Sequence, residues 1–483
     1  MSENKRSFIQ TLTAFKFNFW IASFLQLMER WAFYGIFTVL GLYLVASTDE
    51  GGLGFNHEQK AAIMAYVSAV LYFIPPILGV VADRIGYKLS LVISFIIMGV
   101  GYFMLSEATT YAAFFSIFLL AAIGGGFFKP VVNGIVARNT DESTSTIGFG
   151  IFYMMVNIGG FLGPAMSSPL RTAYGWRIIF IQGAVVMAIN VLVALFLYKE
   201  PTTAKKDSKP LLTEIKESVM HIVEALKDKR LTILLLLMVG FWTMFNQLFY
   251  TLPNFIEDWV DSSAMSAWIN ENLPFLGTIL TEKGQVKAEW FINIDSFMII
   301  FFQVVVSYFV TKMTHVSAMI KGTIIATLGV TLTFVFNNPW FTIIGTVIFS
   351  LGEMASSPTL SAFVAQITPK GKEALYQGTV FLPVAAGNYL TYFISGYLYT
   401  RWSDKYTLLG NELAKRSIEM PKNLTKNQYF DLASEKLGMT KAQITEYLWQ
   451  TYNPSKLWYV ICAVGVFAAL SLYVYDRVMK KKN

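Results

Sequence analysis

The chain has 483 residues, 54% of them hydrophobic and only 14% charged, with a mean hydropathy of +0.50. A soluble protein of this length would cover its cores with far more charge, so that class is excluded. The net charge of +7 does not point to nucleic acid, because the basic residues fall in the gaps between apolar runs.

Apolar runs of about 20 residues, the length that crosses a bilayer as a helix, recur from end to end. We read about twelve: residues 17–46, 59–82, 88–106, 111–137, 147–169, 177–198, 231–256, 291–311, 319–337, 340–366, 376–399 and 456–476. The fold class expected is an all-α integral membrane protein of two six-helix bundles in a lipid bilayer. The first run is too long for a signal peptide and lacks a small-residue cleavage site, so it is expected to stay as a span.

Lys5 and Arg6 open the chain, and Arg84 and Lys88 follow the second run. Lys199, Lys205, Lys206 and Lys209 follow the sixth, and Lys312 and Lys321 flank the turn after the eighth. Lys370 and Lys372 follow the tenth, and Lys480 to Lys482 close the chain. With twelve spans all these lie on one side, which the positive-inside rule makes the cytoplasm, with both termini there. A cell-membrane location follows.

Residues 199–230 separate six runs from six. Within them Leu211, Ile215, Val219, Ile222 and Leu226 share one helical face and charges fill most of the other, which reads as an amphipathic surface helix in a linker. Residues 1–198 and 231–483 are then the two bundles. Two insertions would face outward. Residues 257–290 are mixed and acidic. Residues 400–455 hold two expected helices, each opened by a capping box, Thr425 with Gln428 and Thr440 with Gln443, and by a staple pair, Leu424 with Tyr429 and Met439 with Ile444. Gly438 suits the end of the first. A folded cap over the outer mouth and a partner-binding module are both open readings of this insert. Six plus six spans around a linker suggest related halves enclosing a path near the midplane.

Charges inside the runs carry the functional signal. A charged side chain at mid-bilayer costs roughly 2.5–3.5 kcal/mol on insertion scales, so it persists where it meets another charge or a wet cavity. Glu29 and Arg30 stand side by side in "LQLMERWAFYG", Lys129 in the fourth run, Asp295 near the start of the eighth and Glu353 in the tenth. They are structural ion pairs or they line a transport pathway, and inside a membrane the second reading is favoured. Asp83 and Arg84, at a turn, read as a gating or packing clasp. "GGGFFKP" around Lys129 and "NIGGFLGP" in the fifth run combine close helix approach with proline-loosened backbone, as a moving machine requires.

No enzyme chemistry competes. His57, His221 and His315 are dispersed, so no metal site is expected, and no Walker A sequence is present. Cys462 is the single cysteine, so no intrachain disulfide forms. A gradient then supplies the energy, no cofactor is expected, and the carboxylates are natural proton carriers.

Together these motifs resemble the proton-dependent oligopeptide transporter family of the major facilitator superfamily. "MERWAFYG" is similar to the second half of the family's E-x-x-E-R-F-x-Y-Y pattern, "GVVADRIGYK" to its loop motif, and "GGGFFKP" and "FYMMVNIGG" to its fourth- and fifth-helix signatures. "FWTMFNQ", "SLGEMASSPTLS" and "GTVFLPVAAGNYL" resemble the seventh, tenth and eleventh. The resemblance implies alternating access, with small peptides or peptide-like solutes carried inward with protons by a protein that works as a monomer. It implies proton coupling through Glu29, Arg30, Lys129, Asp295 and Glu353. It places substrate contacts at Tyr34, Phe37, Tyr72, Lys129, Asn157, Asn246, Glu353 and Asn388, with Glu353 meeting the peptide amine. The chain departs from the pattern where Gln26 replaces the first glutamate and Phe33 a tyrosine. Phe37 stands where an arginine usually helps hold the peptide carboxylate, Asn246 replaces that arginine's partner glutamate, and Val380 replaces a tryptophan. Asp295 stands where many relatives have asparagine. These changes imply a pocket more apolar on the first-helix side. A carrier of a non-peptide or modified amino-acid substrate, and a receptor built on a transporter scaffold with 400–455 as its recognition module, are the alternatives.

Overall fold

The computed structural model describes residues 15–140, 145–200, 210–281, 283–310, 312–367 and 379–480. Of the basic residues that set the expected orientation, Lys5, Arg6, Lys205, Lys206, Lys209, Lys370, Lys372, Lys481 and Lys482 lie outside them.

The long apolar stretches form helices because a run of Leu, Ile, Phe, Ala and Val satisfies its backbone internally and leaves no polar side chain to compete. The first, α1 (Phe17–Val45), has 29 residues, about 43 Å at 1.5 Å per residue. The next apolar run is broken: α2 (His57–Phe73) opens with the Asn56–Gln59 capping box, and α3 (Pro75–Ile85) continues it after a 48° bend. Pro75 and Pro76 supply no N–H to the helical ladder, which places the bend. Then follow α4 (Tyr87–Leu105), α5 (Tyr111–Arg138), α6 (Ser145–Tyr174) and α7 (Arg177–Phe196).

The amphipathic linker helix is α8 (Leu211–Ala225). Ser218 Oγ donates to Pro76 O at 3.3 Å, while Leu211 and Val219 of its apolar stripe stay exposed. The seventh run is α9 (Lys229–Phe245) with a short α10 (Gln247–Tyr250), and α11 (Leu252–Trp259) follows past Thr251. The first insertion carries α12 (Ser263–Asn272). Then come α13 (Ala288–Val310), α14 (His315–Val335) and α15 (Pro339–Ile367). The eleventh run is α16 (Phe381–Tyr392), a wide π-type turn at Phe393–Leu398, and α17 (Tyr399–Trp402), and α21 (Leu457–Lys480) is the last long helix.

Between these last two lies the second insertion. Its two expected helices are α19 (Lys426–Leu437) and α20 (Lys441–Tyr452). Both capping boxes are present, and Gly438 takes a left-handed φ of 64°. A third helix, α18 (Lys405–Lys415), was not expected there. Asp404 caps it by accepting from Thr407 N and Thr407 Oγ1. Glu412 ties the insert together, accepting from Arg416, Tyr447 and Tyr452 at 2.8, 2.8 and 2.9 Å.

Among the described residues nine helices are long and apolar enough to cross a membrane, ten with the bent α2–α3 pair. The helical stretches Phe17–Val45 and Phe381–Trp402 match them in length; the first carries Glu29 and Arg30 side by side, and the second is interrupted by the wide turn. Among the described residues each of the twelve expected runs thus falls on one helix or on consecutive helical pieces. Two separate apolar cores form, one from residues between Phe15 and Tyr198 with Tyr250, the other from residues between Ala225 and Tyr475 with Leu42.

Glycines set the closest crossings. A Cβ on Gly163 would lie 2.6 Å from Gly35 N, so α1 and α6 touch backbone to backbone. A Cβ on Gly329 would lie 2.2 Å from Phe349 N, and α14 and α15 do the same in the second half. α1 has its start near Lys199 O, which Asn18 Nδ2 holds at 2.7 Å, and its end at Val45 O, which Lys426 Nζ holds at 2.6 Å. These contacts define a linker end and an insert end of the bundle.

Candidate functional site

Where the two cores meet at mid-span, a cavity opens with about 720 Å³ of space between atoms, part of it open to solvent. α1 contributes Phe33, Tyr34 and Phe37, α2 Ser68 and Tyr72, and α6 Val156, Asn157 and Gly160. From the other half come Trp242, Phe245, Asn246, Phe249 and Tyr250, then Asp295, Ser296 and Ile299 of α13, Glu353 of α15, and Val384 and Asn388 of α16. The aromatic walls follow from helical spacing: Phe33 and Phe37, one turn apart, stack at 5.1 Å, and Phe37 meets Tyr250 of the other half at 5.6 Å.

Of the eight substrate-contact candidates, Tyr34, Phe37, Tyr72, Asn157, Asn246, Glu353 and Asn388 line this cavity. Lys129 does not. Its Nζ sits 3.6 Å from the centroid of the ring of Tyr72, which does line it. Arg30 does not line it either; its guanidinium packs 4.8 Å from the Phe33 ring centroid and 5.6 Å from that of Tyr34. Glu29 neutralises Arg30: Nε and Nη2 donate to the two carboxylate oxygens at 2.5 and 2.7 Å, and both residues are buried. Gln26 is buried one turn earlier.

The two acids of the second half come together. Asp295 is 3% exposed, and α13, which begins seven residues before it, carries it into the cavity wall. Ser350 Oγ donates to Asp295 Oδ1 at 2.6 Å, and the Asp295 and Glu353 side chains hydrogen-bond each other. Glu353 Oε2 has no partner among the described residues, and neither do Asn246 Nδ2 and Trp242 Nε1.

The side-chain partners of Asp83, in the expected Asp83–Arg84 clasp, lie within its own half. Tyr87 Oη donates to Asp83 at 2.9 Å, and Arg138 pairs with it at 3.5 Å at a largely exposed site. The halves meet instead at the insert end. Lys60, fully buried, donates to Tyr250 O at 2.8 Å and Asn254 Oδ1 at 3.0 Å. Arg171 pairs with Glu289 at 2.8 Å, Arg401 with Glu58 at 3.1 Å, and His57 lies 3.3 Å from Asp404. Asp258, on α11, is raised to about 7 by burial against the attraction of Lys405, and Tyr399 Oη donates to it at 2.7 Å. His57, Asp258 and Asp404 could bring ligand atoms within 4.8 Å of one another, a grouping that the spacing of the histidines does not foreshadow and that includes neither His221 nor His315. Lys60, Lys405 and Lys426 all act on these carboxylates, so the cluster already carries its counter-charges.

Sequence reading missed Lys60, Trp242, Phe245, Phe249 and Tyr250. The aromatics at 242, 245 and 249 recur at helical spacing beside Asn246, which is a usable signal; Lys60, three residues into a capped helix, gave none.

The Major Facilitator Superfamily model matches residues 19–280 and 260–410. An uncharacterized transporter of Bacillus subtilis (strain 168), YclF, is 31% identical over 173 residues, 35% of each chain. A di-/tripeptide transporter of Lactococcus lactis subsp. cremoris is 25% identical over 261 residues, 52% of this chain and 48% of that one. These matches span about a third to a half of the relatives' lengths. The crystal structure of a peptide transporter POT in complex with sulfate superposes with a TM-score of 0.69 at 17% identity, covering 98% of this chain and 97% of that one. At that identity the likeness is one of fold.

Proposed function

The chain belongs to the major facilitator superfamily, and from that premise we propose that it is a proton-coupled symporter importing small peptides or peptide-like solutes by alternating access. It is a multi-pass membrane transporter with the all-α fold of that superfamily. Its resemblance to the proton-dependent oligopeptide transporter family, read from motifs, is met by a relative named for di-/tripeptides and by the fold of a solved peptide transporter.

The observation that carries the substrate reading is the mid-span cavity, which both halves line, with the unpartnered Glu353 Oε2 in its wall. A buried carboxyl oxygen without a partner suits a substrate ammonium. The latch at the insert end supports a form closed there, with Lys60 as its buried pin. The linker end is then the cytoplasmic mouth and both termini lie on that side of the cell membrane. Glu29, Arg30, Lys129, Asp295 and Glu353 carry the coupling, Asp83 and Arg84 brace the loop at the cytoplasmic mouth, and the proton gradient takes the place of a cofactor. The protein works as a monomer.

Proteoliposomes with an inward proton gradient test this. Labelled dipeptide should accumulate, and collapse of the gradient should end accumulation. Uptake indifferent to the gradient would remove the proton-coupled reading. A chain lacking residues 403–453 separates carrier from receptor: a carrier keeps some flux, whereas a receptor never shows any and loses its partner.

A further inference from the structure

We propose that the cavity selects its solute by a protonated amine and a neutral carbonyl, and does not read a free carboxylate. This inference rests on the transport reading above and names the class of substrate that the same site takes.

Three observations carry it. The first is the charge of the wall. Its ionisable acids are Asp295 and Glu353, and among the described residues lining the cavity there is no lysine or arginine. The nearest cations are turned to other work. Arg30 spends two of its donor groups on Glu29 and packs on the Phe33 and Tyr34 rings, and Lys129 packs on the Tyr72 ring; neither cation lines the cavity. A carboxylate brought in beside two acids, with no cation to meet it, loses its hydration without compensation. An ammonium gains from both acids and from the faces of the surrounding rings.

The second is the set of unfilled hydrogen-bonding groups. Glu353 Oε2 is an acceptor waiting for a donor, and Glu353 is 8% exposed. Asn246 Nδ2 and Trp242 Nε1 are donors waiting for an acceptor. The donors are neutral, which matches a peptide or amide carbonyl; a carboxylate is served by a guanidinium or ammonium.

The third is where the apolar surface lies. Phe37 presents a ring to the cavity, stacked on Phe33 and edge-on to Tyr250, on a helix other than those of the two acids. That surface is suited to an uncharged end of the solute.

The test uses the purified full chain in detergent and three probes: alanyl-alanine, its C-terminal amide, and N-acetyl-alanyl-alanine. Titration calorimetry should find the amide binding as tightly as the free acid or tighter, and the acetylated peptide at least tenfold weaker. Phe37→Arg, which puts a guanidinium on the apolar wall, should move the preference toward the free acid by at least tenfold. A wild-type chain that binds the free acid tenfold more tightly than the amide overturns the inference and leaves peptide transport standing. Binding of none of the three overturns both. The wild-type comparison needs no variant, so a misfolded Phe37→Arg chain does not decide the matter.

Discussion

Arg30 is neutralised by Glu29, its neighbour in sequence, through two hydrogen bonds of 2.5 and 2.7 Å. Adjacent residues on a helix ordinarily point about 100° apart, so the pair forms only because both long side chains bend into the same buried space. The charge and its counter-charge ride on one helix, and no relative motion of the two halves separates them.

Removing one member should therefore cost far more than removing both. Arg30→Met leaves Glu29 buried and unpaired, at about 3–5 kcal/mol, while Glu29→Gln with Arg30→Met should recover most of that loss. Thermal melts of the detergent-purified variants read the difference. A double variant less stable than the single would contradict the pairing.

Glu353→Gln should lower dipeptide uptake by at least about tenfold, the loss of one charge-assisted hydrogen bond. Asp295→Asn should do the same, and the double variant should lose less than the product of the two, because the carboxyls act on one group. Independent effects in proteoliposome flux would show that the two acids do not form a unit.

Lys60→Met should loosen the insert end. The buried ammonium bridges α2 to Tyr250 and Asn254 of the other half, and methionine fills the space without the bridge. In a Cys462→Ser background, a cysteine at Ser68 of the cavity wall should react several-fold faster with an impermeant thiol reagent from that side. Unchanged labelling would mean that Lys60 is no part of the closure.

Acid should stabilise the protein through Asp258. Its carboxyl is raised to about 7 when folded, against about 4 for an unfolded aspartate. A group that holds its proton more tightly when folded favours folding below about pH 4 and loses that contribution as pH rises through about 7. The melting temperature should fall between pH 5 and 8, and Asp258→Asn should flatten the fall. An Asp258→Asn chain with the wild-type slope would assign the effect elsewhere.

Gly329→Ala should destabilise by about 1–3 kcal/mol, since its Cβ would sit 2.2 Å from Phe349 N across the α14–α15 crossing. Gly277→Ala, with nothing within 4 Å, is the control and should change stability by less than about 0.5 kcal/mol. Equal melts for the two would dismiss the crossing as a constraint.

The spans were legible because the bilayer demands length and apolarity in each run separately. The capping boxes of α19 and α20 were legible because two residues three positions apart decide each one. The buried charges announced themselves by their cost. Partnership was not legible, since it depends on how separate helices turn about their axes. Asp295 could be seen as an acid but not as the neighbour of Glu353, 58 positions away. Lys60 looked like any lysine in a first helical turn, and only the docking of α2 on Tyr250 and Asn254 makes it a buried pin. Helix α18 was missed because Asp404, its cap, sits two residues past the end of a span.

The wide turn at Phe393–Leu398 has a bearing on how the eleventh span serves two neighbours. Below it Asn388 borders the cavity, and above it Tyr399 and Arg401 grip Asp258 and Glu58. A π turn takes up one residue more than an α turn, so everything beyond it is rotated by about 100° from where a regular rod would point it. Deleting a single residue from that stretch would make the helix more regular and misdirect one of its two faces. The irregularity is an angular offset, and a chain repaired to ideal geometry there would hold either its solute or its lid, not both.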